Sequence, residues 1–408
     1  MELEELSQSG IRRLADYSPY LDQLAGLAQE MGLRQRSNLV QLERSLHEHW
    51  SLGQNNILSW APLDEGILIL VVPHYAIAEY TSSQHGSSPP RVSPSFITDL
   101  ISGNRRLNFQ QMQKVARLLE VKPAYIPLRQ PLSGHPVETQ IIEKMIRRYG
   151  INYVASRAVT LFDIVGFSLL SPFEQMTQLN SLAYSLNSAH AKMLEQDVGI
   201  NFARSSSGDG FYVWNRDDGL EANVNLYHFM HIVLADNAIA RSKATSRAVP
   251  RLRACFHVGS CYEFHQAEGL NPTMQDFIVG DVTIELARMI EAALPGQILV
   301  GEFLAKDSDS TQTQAQLDAV AFLQRAQGNL SKLSGLEFSG ERVTAIKCYL
   351  TGEHMGGDQF SIRRLTIKDK HGLSRVAYNA KVNIYRKNTQ PILLGIEDRK
   401  LPQARQEA

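Results

Sequence analysis

An α+β fold is predicted from three observations. Leu252, Ala254, Phe256 and Val258 alternate with polar neighbours at the period of a half-buried strand. Phe173, Met176, Leu179, Leu182, Leu186 and Met193 recur at helical spacing, as do Leu226, Phe229, Met230 and Val233. The two kinds of pattern then alternate along residues 150–352, where Asp281 to Ala293 predicts a helix and Gln297–Val300 a strand after a Pro-Gly turn. At 408 residues the chain exceeds one ordinary domain, so a catalytic-size unit of about 200 residues with smaller flanking modules is expected.

Taken in order, residues 1 to about 60 carry amphipathic helical patterns, first Leu21, Leu24, Ala25, Leu27 and Ala28, then Leu39, Leu42 and Leu46. Ile67 to Val72 fits a buried strand or a helix segment, and Ser82 to Pro94 predicts a loop. Residues 92–126 resemble the second half of a repressor-type helix-turn-helix, although small helical packing is the commoner use of such a pattern. Pro127 to Pro136 is a Pro-rich linker, followed by a helix at residues 136–150 that enters the central domain, residues 151–352. Within 353–408, Val376 to Tyr385 and Ile392 to Ile396 predict a small appended β module and a charged tail.

A net charge of -1 supplies no global field for nucleic acid, so any basic patch is local. The three cysteines, Cys255, Cys261 and Cys348, are too few for a disulfide framework and point to reduced thiols in the cytoplasm. An acidic N-terminus and an apolar run stopped by Pro73 predict neither a signal peptide nor a membrane span.

The chemistry concentrates in two short segments. Asp163 ends the apolar run Val159, Leu161, Phe162 and precedes Gly166, so backbone N–H groups of a turn into a helix would lie beside a carboxylate. Asp209 stands between Gly208 and Gly210 ahead of Phe211–Trp214, the pattern of a hairpin tip. Two carboxylates so placed suit two metal ions and a nucleoside triphosphate.

Residues 162–168 and 207–210, followed by Val279-Gly280-Asp281-Val282 with Ala287-Arg288 and Leu294-Pro295-Gly296-Gln297-Ile298-Leu299-Val300, resemble the class III nucleotidyl cyclases. The resemblance implies a ferredoxin-like core, a mixed sheet with helices on one face, that forms a head-to-tail homodimer with shared active sites. It also implies Asp163, Asp209 and the Ile164 carbonyl as ligands of two Mg²⁺ or Mn²⁺ ions. By the same resemblance Val165, Gly166, Phe167 and Ser168 offer backbone to the triphosphate, and Arg288 stabilises the transition state.

Departures from the family pattern concern the base. Ser205 and Phe277 stand where purine-reading residues belong, with Arg204 and Asp276 adjacent, so that a one-residue slip would restore charge. A bulky Phe with a short Ser suits a smaller base. Ile284 replaces a ribose-contacting Asn, so either the ribose has another contact or the site is degenerate. Among cyclases with altered base readers, the chain most resembles the pyrimidine cyclases of Pycsar antiphage systems. That implies cyclic UMP or cyclic CMP as a signal to a separate effector. Arg204 favours an acceptor on the base and hence UTP; an adenylate or guanylate cyclase, or an inactive cyclase fold that regulates DNA, are the alternatives.

Arg342 and Lys347 are candidates to grip the γ-phosphate, with a solvated strand charge an equal reading. Cys255, His257 and Cys261 lack the second ligand pair of a zinc finger. His228 and His231, one turn apart, are expected to be exposed or interfacial.

Overall fold

Residues 55–73, whose apolar run allows strand or helix, form a hairpin in the computed structural model: β1 (Asn55–Leu63) and β2 (Gly66–Pro73) pair antiparallel. Ile57, Ile67, Ile69, Val71 and Val72 favour the pleated backbone, and Pro73, lacking an N–H, ends it. The structure describes residues 31–81, 92–268, 271–306, 316–333, 335–352, 354–356, 359–368 and 372–401. The helical pattern at Leu21–Ala28, most of the loop at Ser82–Pro94 and the end of the charged tail lie outside them. Two compact units result, Met1–Val154 with Tyr262–Phe277, and Ala155–Cys261 with Ile278–Ala408.

In the first unit β3 (Ala124–Pro127) joins β2, and alternate residues feed two cores. Ile57, Trp60, Ile67 and Ile69 pack with α1 (Leu33–Trp50) and α5 (Pro136–Arg148), while a short α2 (Ala76–Thr81), α3 (Pro94–Ile101) and α4 (Phe109–Leu119) belong to the other core. Leu58, Ala61, Leu70 and Val72 face α3 and α4 instead. The helix-turn-helix-like segment is thus one wall of a packed unit. Arg105, one of the two arginines that a DNA-reading segment would present, is 1% exposed. Its guanidinium donates to the carbonyls of Ile57 at 2.9 Å, Leu58 and Ile101 at 3.3 Å and Ile151, and to Asn152 Oδ1 at 2.8 Å. Burial pulls its pKa down to about 9. Arg105→Ala would orphan several buried carbonyls, so a loss of about 3 kcal/mol is expected in urea unfolding monitored at Trp60, which packs in the same unit. An unchanged midpoint would contradict the structural role.

The second unit is built on β4 (Asn152–Ile164), α6 (Pro172–Glu195), β5 (Phe202–Ser206), β6 (Gly210–Asn215), α7 (Leu220–Lys243) and β7 (Leu252–Glu268). Spatially the strands run β7-β4-β6-β5. This is the order of a ferredoxin-like split βαβ repeat, so the expected α+β class and core are present. Phe162 and Ile164 of β4, Leu182, Leu186 and Met193 of α6, and Val224 to Ala235 of α7 share one core. Past β7 come β8 (Asn271–Val279), of which residues 271–277 count with the first unit, then α8 (Asp281–Ala292) and β9 (Ile298–Gly301), the last parallel to β7. α8 adds to the opposite face of the sheet: Val282 meets Gly259, and Met289 closes on Gly301.

Two short strands, β10 (Leu304–Lys306) and β11 (Gln316–Asp318), pair ahead of α9 (Ala319–Asn329). β12 (Glu337–Phe338) and β13 (Glu341–Leu350) follow, then β14 (His354–Gly356), β15 (Gln359–Phe360), β16 (Arg364–Lys368), β17 (Ser374–Arg386) and β18 (Ile392–Leu394). The residues that predict an appended β module instead include β17, which lies inside the large sheet between β9 and β13. Ala377, Ala380, Val382 and Ile384 explain it, being fully buried as only a central strand allows.

His228 and His231 are neither exposed nor interfacial within the described residues, each being 1% exposed on α7. His228 Nε2 lies 3.0 Å from the Ala326 carbonyl and donates to it, and burial lowers its pKa to about 4. The helix they occupy is apolar on nearly every side, which buries polar residues that spacing alone would put at the surface. No helix of the described residues is long and apolar enough to cross a membrane.

Candidate active site

Asp163 and Asp209 meet through the β4–β6 register, in which Asp163 stands opposite Gly210. The Ile164 N–H donates to the Asp209 carbonyl at 3.0 Å, pinning the hairpin tip to the end of β4. Gly208, at φ +98°, makes the turn, and Gly210 allows the close approach: a Cβ there would lie 1.9 Å from the Phe162 carbonyl oxygen. Ser207 Oγ donates to Asp209 Oδ1 at 3.4 Å.

Asp163 is 4% exposed. Burial raises its pKa to about 6; Arg253 opposes that shift, while Asp209 adds to it by charge and hydrogen bonding. Arg253 Nε lies 2.6 Å from Asp163 Oδ2, and its Nη1 donates to the Ala293 carbonyl at 3.0 Å. Arg253 is absent from the sequence-based candidates. The signal was present: where Leu252, Ala254 and Phe256 point into the core, Arg253 must occupy the other face of β7, beside the strand that carries Asp163. A buried carboxylate next door requires a cation.

Of the expected triphosphate cradle, Val165 is a correction, because its N–H donates to the Arg251 carbonyl at 2.9 Å. Gly166, at φ +71°, Phe167 and Ser168 form a short 3-10 turn, with Gln175 Nε2 donating to the Phe167 carbonyl at 3.1 Å. The turn does not run directly into the helix as expected. α6 starts at Pro172 with its own cap, Ser171 Oγ accepting from the Glu174 N–H while Glu174 accepts from Ser171, so its first turn already holds a carboxylate.

The remaining candidates are spread more widely. Arg204, exposed, lies over the Phe211 ring at 5.2 Å, and Ser205 stands opposite Tyr212. Asp276 Oδ1 is 2.8 Å from His265 Nδ1, and Phe277 stacks on Phe264 with centroids 5.4 Å apart; both belong to the first unit. Ile284 is 50% exposed on α8, where Arg288 Nη1 lies 3.7 Å from Glu291. Arg342 and Lys347 sit on β13, four strand positions from β4 in the order β13-β17-β9-β7-β4. At about 4.8 Å per strand that is roughly 19 Å, so they do not join the carboxylate pair of their own chain. Lys347 lies over the Tyr385 ring at 5.9 Å.

Among the described residues no cluster of three or more His, Cys, Asp and Glu side chains is present. A pair of carboxylates with a neighbouring carbonyl nevertheless fits a hard dication that completes its shell with water and substrate phosphate. The raised pKa of Asp163 agrees, since burial and the neighbouring Asp209 both disfavour its charge and only Arg253 opposes them.

No family model matches the chain, and no curated protein matches it. Solved structures do. The guanylyl cyclase Cya2 aligns at 12% identity and TM-score 0.30 over 56% of this chain and 92% of its own. The guanylate cyclase domain of RhGC from Catenaria anguillulae in complex with GTP aligns at 12% and 0.33 over 58% and 100%. The adenylyl cyclase CyaB from P. aeruginosa aligns at 12% and 0.30 over 59% and 97%. Likeness at that level assigns neither a residue role nor a substrate.

Proposed function

We propose that the chain is a cytoplasmic nucleotidyl cyclase that converts UTP to 3',5'-cyclic UMP and diphosphate. The observation that carries this reading is the apposition of Asp163 and Asp209, held by the Ile164–Asp209 hydrogen bond beside an irregular turn. In the reaction the ribose 3'-oxygen forms a bond to the α-phosphorus as its proton leaves. The bond from that phosphorus to the bridging oxygen breaks, and its electron pair departs with diphosphate. Mg²⁺ or Mn²⁺ held by Asp163, Asp209 and the Ile164 carbonyl would acidify that hydroxyl and neutralise phosphate charge.

The chain's own residues supply the rest. Gly166, Phe167 and Ser168, in the turn that follows Asp163, would present backbone to the phosphates, and Gly166 carries no side chain to obstruct their approach. Arg253 holds Asp163 in one orientation. Arg288 is the group assigned to the developing charge. Arg204, cationic and exposed beside Phe211, supports an acceptor-bearing base and so UTP, with CTP the alternative.

The homodimer is favoured by an apolar patch where α6 begins: Leu169, Phe173 and Met176 are 89%, 73% and 55% exposed, though helical spacing alone would place the last two in the core. Signalling to a separate effector in antiphage defence follows from the resemblance to the Pycsar enzymes. The test is incubation of the protein with Mn²⁺ and each of ATP, GTP, CTP and UTP, with products resolved by chromatography and mass. Cyclic UMP is the expected dominant product. Cyclic CMP would move the base assignment, a cyclic purine nucleotide would refute the pyrimidine reading, and no cyclic product from folded protein would refute the cyclase.

A further inference from the structure

A second cleft opens in the second unit, at the end of α7 opposite the loop before β9, with a volume of about 670 Å³. Small-molecule sites occupy roughly 300–1,000 Å³. Among the described residues its lining carries the cations Arg241, Arg251, Lys381 and Lys400 against one carboxylate, Glu397. Leu252, Ile298 and Leu394 give it an apolar floor.

Two of the polar groups lack a close partner where they stand. Lys381 is 7% exposed, yet its Nζ comes no nearer than 4.0 Å to Glu397, whose Oε2 takes a 2.6 Å bond from Arg399 Nε. Its stem is buried while its ammonium, not sealed from solvent, has no carboxylate within hydrogen-bond distance and stays available to an anion in the cleft. Asn237, 4% exposed, lines the same cleft with its Nδ2 unpartnered. An unused amide donor lacks an acceptor, and an ammonium without a close carboxylate suits an anionic one.

The walls are fixed rather than incidental. Gln297 Nε2 donates to Asn379 Oδ1 at 3.0 Å, and Asn379 Nδ2 donates to Thr351 Oγ1 and to the Ile396 carbonyl, each at 2.8 Å. Gly395, at φ +81°, lets that strand approach the Ala380 carbonyl, where a Cβ would come within 2.3 Å. Arg251 joins the cleft to the carboxylate pair: its side chain donates to the Pro295 carbonyl at 3.1 Å, while its own carbonyl accepts from Val165.

We propose that this cleft binds a nucleoside phosphate, as a site separate from the Asp163–Asp209 pair. The phosphate would lie among Arg241, Arg251 and Lys381, for which guanidinium forks and an ammonium are suited. Glu397 would accept from sugar hydroxyls, and the leucine floor would carry the base. No metal is needed, which separates this binding from triphosphate capture at the carboxylates.

The test is calorimetric titration of the full chain in EDTA with UMP, AMP and inorganic phosphate. Saturable binding of UMP or AMP is expected, weakened tenfold or more in Arg241→Glu, an exposed helix position, and in Lys381→Met if that variant keeps its fold by circular dichroism. Asp163→Asn should bind as the parent does, so the result does not depend on whether the chain is a cyclase. Absence of saturable binding, equal affinity in Arg241→Glu, or loss of binding in Asp163→Asn would each overturn the proposal. Inorganic phosphate binding as tightly as the nucleotides would overturn its nucleoside part.

Discussion

Asp163→Asn is expected to remove the proposed cyclase activity by at least about a hundredfold while leaving the metal-free protein folded, because one ligand of the proposed Lewis-acidic site would contribute several kcal/mol to the barrier. The more discriminating readout is stability against pH. The carboxyl has a folded-state pKa of about 6, above an unfolded value near 3.9. Its neutral form is therefore favoured by folding. That contribution is complete below the unfolded value, fades as pH rises through about 4 to 6, and is gone above. The shift of about two units corresponds to about 3 kcal/mol at most. Metal-free parent protein should lose stability across that window, and Asp163→Asn should lack this part of the slope. Mn²⁺ should raise the parent's melting temperature at pH 7.5 and do so less near pH 5, where a proton competes for the ligand. A variant that keeps the parent's pH slope, or responds equally to Mn²⁺, would remove Asp163 from the site.

How far the site was legible in the sequence follows from what each residue depends on. Asp163 and Asp209 announce themselves locally, one by an apolar strand that stops at a charge, the other by flanking glycines. The strand order that brings them together comes from helical and alternating periods that residues 155–260 keep with few exceptions. The alternation of Leu252, Ala254 and Phe256 puts Arg253 on the outer face of β7, but its meeting with Asp163 depends on the pairing of β7 with β4, ninety residues away in sequence. The same limit explains Val165, whose amide is claimed by the carbonyl of Arg251, just ahead of β7. Arg342 and Lys347 stand away from the carboxylates of their own chain for a topological reason: β17, which reads as part of a detached tail, inserts between β13 and β9 and moves β13 outward. His228 and His231 differ from expectation through burial, since polar side chains in otherwise apolar surroundings look from sequence like surface, whereas the burial of Arg105 goes with the packing use of its segment.

Gly210→Ala is expected to separate the two carboxylates and unsettle the sheet at once. The added Cβ would lie 1.9 Å from the Phe162 carbonyl oxygen and 2.9 Å from its carbon, both backbone atoms that cannot rotate away. Either the Asp163–Gly210 pairing opens or β4 shifts, and overpacking of this kind costs about 1–3 kcal/mol. Because the Ile164–Asp209 hydrogen bond adjoins that pairing, opening it carries Asp209 away from Asp163, so activity and the Mn²⁺-induced rise in melting temperature should both fall at temperatures where the chain remains folded. Gly208→Ala separates strain from geometry. A Cβ there meets nothing within 4 Å, but φ is +98°, so about 1–2 kcal/mol of backbone strain is expected with the β4–β6 register kept. If Gly210→Ala retains the Mn²⁺ response while Gly208→Ala loses it, the hairpin tip and not the strand register places Asp209, and the close approach at Gly210 is only structural.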